Sequence, residues 1–126
     1  MPRVFLIDTD TASDDAVALI MALKAPDVHV AAITVVAGNV GVDQACRNAL
    51  YTAELCGSNV PVFSGAQSPL SRPLEDASWF HGLDGMGDHG ATGAFGAAFR
   101  VDRSCSTWSR DKPIGHSFIA NRPALG

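Results

Sequence analysis

At 126 residues, 47% of them apolar, the chain has the size and composition of one domain with room for a core. A formal charge of −4 without a basic run speaks against a nucleic-acid partner, and there is no run of about eighteen apolar residues to span a membrane. The cysteines (Cys46, Cys56 and Cys105) are an odd set without metal-type spacing, and Arg3 leads straight into an apolar run unlike a signal peptide, so a cytoplasmic protein is expected.

Residues 4–7, Val-Phe-Leu-Ile, read as a buried strand that ends abruptly in four carboxylates: Asp8, Asp10, Asp14 and Asp15. A helical pattern follows at once, with Ala16, Leu19, Ile20 and Leu23 at i, i+3, i+4 and i+7. Ser13 is placed to cap this helix, and Asp14 and Asp15 fall in its first turn, where the helix dipole favours negative charge. Four carboxylates this close repel one another. They call for a hard cation, for protonation, or for hydrogen bonds from backbone N–H groups.

The first helix is expected to end near Ala25, because Pro26 disfavours helix at the residue before it. Residues 29–37 are β-branched and apolar and read as a second buried strand, ending at Gly38 and Asn39. Residues 42–56 read as a helix with Ala45, Ala49, Ala53 and Cys56 on one face and Gly57 as its stop. Residues 60–63 read as a short third strand, which Pro61 either weakens or marks as a strand start. The order β-α-β-α-β predicts an α/β fold, an open and mostly parallel Rossmann-like sheet flanked by helices. Ligands bind outside the carboxyl ends of such strands, and Asp8, Asp10 and Asn39 all fall there.

Residues 64–78 form a loop rich in Pro and Ser. Then come Trp79, Phe80, His81 and a segment with Gly82, Gly85 and Gly87, read as a mobile loop able to approach a ligand closely. Trp79 and Phe80 suit core packing or a lid equally. An isolated His81 reads as a surface histidine, and Asn39 as an ordinary turn residue. After about residue 90 the pattern stops: residues 90–98 are rich in Gly and Ala, and residues 100–126 show neither helical nor strand periodicity.

The plain structural account of the acidic cluster has Asp8 ending a strand while Asp14 and Asp15 decorate a helix start. That explains two or three of the four. A second account is the Mg²⁺-dependent phosphotransfer motif of haloacid-dehalogenase-like enzymes, which Asp8, Asp10 and Thr11 fit; it leaves the Asp14-Asp15 pair unexplained and expects a phosphate-binding hydroxyl at the end of a later strand, where Gly38 and Asn39 stand.

Residues 8–19, DTDTASDDAVAL, resemble the N-terminal signature of the calcium-dependent inosine-uridine preferring nucleoside hydrolases, a strand running into Asp-x-Asp-x-Gly-x-Asp-Asp-x-x-Ala-Leu. Ala12 stands where that family often has Gly, and Thr11 where it often has Pro; Ala resists φ > 0 where Gly does not. Gly38-Asn39-Val40, Asn48-Ala49-Leu50 and the segment from His81 also resemble the family, so the resemblance spans residues 3 to about 90.

The resemblance implies hydrolysis of the N-glycosidic bond of ribonucleosides to ribose and free base by a calcium-bound water. It implies Ca²⁺ held by Asp10, Asp15 and, in a supporting place, Asp8. It makes Asp10 the general base, has Asp14 bind a ribose hydroxyl and Asn39 orient ribose or the catalytic water, and puts His81 on the loop over the base. Asn48 is helix scaffolding in this reading. A homo-oligomer is implied for full-length members, which are more than twice this length. The expected organisation is therefore a partial nucleoside hydrolase domain over residues 1–98 and an irregular tail over 99–126, out of frame or cut short. A chain inactive alone, or a non-catalytic remnant, is the further expectation.

Overall fold

The computed structural model describes residues 1–88; the expectations for residues 90–98 and for the 99–126 tail lie outside the described residues. Three strands alternate with helices: β1 (Arg3–Thr9), α1 (Ser13–Lys24), β2 (Val28–Val35), α2 (Val42–Leu55) and β3 (Val62–Ser64), followed by the single-turn α3 (Ser78–His81). The strands form one parallel sheet, as the alternation of elements predicts, and their order in it is β1-β2-β3.

Local chemistry explains most boundaries. At Ala25 the backbone turns extended (ψ 124°), as the following Pro26 requires. β2 starts one residue earlier than predicted and ends two earlier; Val36 then donates to the Thr9 carbonyl (3.0 Å) and Ala37 to that of Ala66 (2.9 Å). At the end of α2, Gly57 takes φ 63° and donates to Glu54 O (2.8 Å), while Ser58 donates to Ala53 O (2.9 Å). Those two bonds make a Schellman motif, which satisfies carbonyls the helix leaves open. Pro61 stands just before β3, so its missing N–H costs no ladder bond, and its carbonyl accepts from Ile33 (2.9 Å).

The start of α1 departs from expectation. The capping position belongs to Ala12, not Ser13, and no side-chain oxygen caps the helix from there. Instead the Asp15 carboxylate reaches back to accept from the Ala12 N–H (3.3 Å). Ala12 is fully buried at φ −105°, a conformation open to any residue, so alanine in place of glycine costs this turn no backbone strain.

The core lies between the sheet and the two long helices. Ala45, Ala49 and Ala53 of α2 are fully buried, as predicted, against Ile33 and Val35 of β2 and Val62 of β3. From α1, Leu19 is buried and Leu23 half-buried, but Ile20, expected on the same face, is 38% exposed. β1 is a larger correction. It was expected to be buried, yet Val4 is 67% and Leu6 61% exposed. Side chains alternate along a strand, and right-handed crossovers carry both helices to one face of the sheet, so Val4 and Leu6 lie on the other. Among the described residues no helix is long and apolar enough to cross a membrane.

Candidate active site

The acidic cluster forms where β1 stops and α1 begins. Asp10 is half-buried just past the strand, and its Oδ2 accepts the Asn39 backbone N–H at 2.7 Å. This bond ties the carboxyl ends of β1 and β2 together, as the topology predicts. It depends on Gly38: a Cβ there would run into the Asp10 carboxyl group, within 2.7 Å of its Cβ and Cγ. Nothing in the spacing of the sequence singles out Gly38; the cause is a contact between residues 28 positions apart.

Asp15 stands in the first turn of α1 within hydrogen-bonding reach of Asp10. Burial pushes its carboxyl above the ordinary 3.8, and the charges of Asp10 and Asp14 raise it further, against the lowering influence of the Ala12 N–H. Asp14, on the same turn, is exposed. Asp8 is not brought into this group. It is exposed, and its Oδ1 accepts the Thr34 hydroxyl at 2.6 Å.

α3 lies over the start of α1 through its last residue, His81. His81 Nδ1 lies 3.3 Å from Ser13 Oγ, so the residue expected to cap the helix meets the loop histidine instead. Phe80 stacks edge-on against the His81 ring at 4.8 Å, but Trp79 and Phe80 are 84% and 71% exposed and are not core. Gly82, Gly85 and Gly87 all take positive φ, which glycine adopts without steric cost. Two carboxylates knit the loop internally. Asp84 Oδ1 accepts from Met86 (2.7 Å) and Asp88 (2.8 Å), and Asp88 Oδ1 accepts from Leu83 (2.7 Å).

Asn48 carries more than the scaffolding expected of it. It is 2% exposed and donates from Nδ2 to the carbonyls of Thr11 (2.9 Å) and Asp84 (2.8 Å). The signal available in the sequence is an amide among the mostly apolar residues of the buried face of α2.

Asp10 and Asp15 are hard oxygen donors carrying uncompensated negative charge, which suits a hard divalent cation rather than a soft one. Among the described residues no three His, Cys, Asp or Glu side chains come close enough to hold a metal ion. The donors fit such an ion in kind and fall short of it in number. The phosphotransfer account fares worse. It needs Asp8 and Asp10 as nucleophile and general acid at one substrate, but Asp8 is turned to Thr34 (2.6 Å) while Asp10 is turned to the Asn39 N–H (2.7 Å).

Residues 5–119 match the sequence profile of the inosine-uridine preferring nucleoside hydrolases. The non-specific ribonucleoside hydrolase RihC of Salmonella typhi is 47% identical over 81 residues, 64% of this chain and 26% of that protein. A plant nucleoside hydrolase structure superposes with a TM-score of 0.66 at 39% identity, covering 71% of this chain and 29% of its own. The purine-preferring ribonucleoside hydrolase from Gardnerella vaginalis gives 0.63 at 32% identity, covering 68% and 29%. The chain thus spans about a quarter of the length of the curated relatives it matches. With its parallel βαβαβ unit and its aspartates gathered at the end of the first strand, the chain belongs to the inosine-uridine preferring nucleoside hydrolase family.

Proposed function

We propose that the described residues form part of a site that hydrolyses the N-glycosidic bond of ribonucleosides, releasing ribose and free base. The observation that carries this reading is the placing of Asp15 beside Asp10, whose carboxylate the Asn39 N–H holds at the end of β1, so that burial and the Asp10 charge both disfavour the charged form of Asp15. Such a pair is adapted to positive charge, whether of a bound cation or of the ribosyl cation that develops as the glycosidic bond breaks.

In this reading Asp10 and Asp15 hold Ca²⁺, and the cation, when bound, would supply a hard positive charge for the ribose diol and for activating water. Asp10 takes the proton of the attacking water. The Asn39 N–H fixes one of its oxygens and leaves the other for that proton. Asp14, exposed at the same mouth, accepts from a ribose hydroxyl, and the Asn39 side chain orients the sugar. His81, on the loop above Ser13, faces the base. Asp8 keeps a supporting place through Thr34. The names of the relatives, non-specific for RihC and purine-preferring for the Gardnerella enzyme, support ribonucleosides as the substrate class.

The test is a chimera in which residues 1–88 of this chain replace the matching segment of a RihC-type relative. Ca²⁺-dependent release of base from inosine or uridine is expected, lost in Asp10→Ala. A folded chimera that releases no base, or one that instead releases phosphate from phosphomonoesters with Mg²⁺, would overturn the reading.

A further inference from the structure

Asn48 lies on α2, but its side chain serves two segments that do not belong to that helix. A primary amide offers two donors from one nitrogen, and here one goes to the Thr11 carbonyl and the other to the Asp84 carbonyl. Its Oδ1 accepts from Gln44 Nε2 at 3.0 Å, which fixes the orientation of the amide. Thr11 lies in the turn that carries Asp10 into the cap of α1. Asp84 lies in the glycine-rich loop that follows directly on His81, the last residue of α3. A second, independent feature concerns the same contact: a Cβ at Gly85 would come within 2.9 Å of Val40 Cγ1 and 3.2 Å of Asn48 Nδ2, and Gly85 takes φ 72°. A side chain at residue 85 would crowd Val40 and Asn48 and strain the loop backbone.

We propose that Asn48 is a positioning residue that locks the Asp10 turn and the His81 loop to one point of α2, so that the two open and close as a unit. Side chains of similar size do not reproduce this pair of bonds. Leucine has the volume without donors, aspartate has the shape with acceptors facing two carbonyls, and serine has a single proton to give. Losing the amide leaves two carbonyls in a buried region without this donor, and the cost falls on both segments together. The catalytic meaning of this coupling rests on the hydrolase reading above; the coupling itself is a property of the chain and is measured without turnover.

The experiment is residue-resolved amide hydrogen exchange on the 126-residue chain. In the parent, the Asn48 side-chain NH₂ is expected to exchange slowly. In Asn48→Leu, the turn amides of Thr11 and Asn39 and the loop amides of Gly85 and Gly87 should accelerate together, by about tenfold or more, the equivalent of a buried hydrogen bond. Ile33 in β2 should change less. Ala53→Gly, buried on the same helix, is the control that loosens the whole domain evenly. Gly85→Ala tests the link from the other side, since a substitution in the loop should then speed exchange at Thr11 and Asn39. Freely exchanging Asn48 protons in the parent, acceleration of loop or turn alone, or one uniform factor across β2 as well would each overturn the proposal. An inactive chimera, by contrast, would leave this readout unchanged and sink only the hydrolase reading.

Discussion

The Asp10 carboxylate owes its place to two groups that carry no charge, the backbone N–H of Asn39 and the bare Cα of Gly38. Gly38→Ala should displace Asp10 and break that bond. We expect cation affinity, followed by terbium luminescence or calorimetry, to fall by about tenfold or more, in line with a lost charge-assisted hydrogen bond. Unchanged affinity would argue that Asp10 does not meet the ion. The Asp15 carboxyl makes a second prediction at this scale. Its folded pKa is raised above 3.8, so folding favours the protonated form. The stability this contributes is fully present below the unfolded value and is lost as pH rises through the raised folded value. Urea denaturation of the metal-free chain should therefore show stability falling across that window, and Asp15→Asn should flatten the profile. A cation should restore stability at the upper end, because it compensates the charge that burial penalises.

The helices and strands differ in how openly the chain announces them. α2 was legible from its alanine face and its glycine stop, because both are local signals. Gly57→Ala tests the stop. A Cβ there meets nothing within 4 Å, so the whole cost is the φ of 63°, and we expect a loss of about 1 kcal/mol in urea denaturation. Leu19→Ala, the main apolar contact of α1 with the core, should cost about 2–5 kcal/mol, with a residue near the low end if α1 settles toward the sheet. β1 was misread as buried because four consecutive apolar residues look the same whether one face of a strand is covered or two. Ser13 was misread as the cap because its type suits the role; the position of Ala12 and the approach of His81 decide otherwise, and neither is written in the local sequence.

Among the described residues the donor set is incomplete for the proposed ion. Of the described residues, Asp10 and Asp15 supply two carboxylates, whereas Ca²⁺ takes about six to eight oxygens, so they leave most of the ligand shell open to water. Calorimetry on the 126-residue chain should give a Kd near the weak end of the protein range, about 10⁻⁴–10⁻³ M. Hydrolysis of inosine by this chain alone should be near zero, because charge stabilisation and positioning depend on groups held in fixed places. Tight binding with ordinary turnover would show that the chain completes its site, for instance by assembling with copies of itself.

Taken alone, the sequence determined the alternation of strands and helices, their parallel order and the aspartates at the end of the first strand. Each follows from periodicity, from punctuation by Gly and Pro, or from residue types within one turn. The tertiary structure alone decided that Asp8 turns to Thr34 while Asp10 turns to Asn39, that His81 meets Ser13, and that Asn48 joins two loops. The physical reason is distance along the chain. These contacts link residues 26 to 68 positions apart, and which partner a polar side chain finds at that separation is set by how the sheet and helices pack, not by its neighbours in sequence.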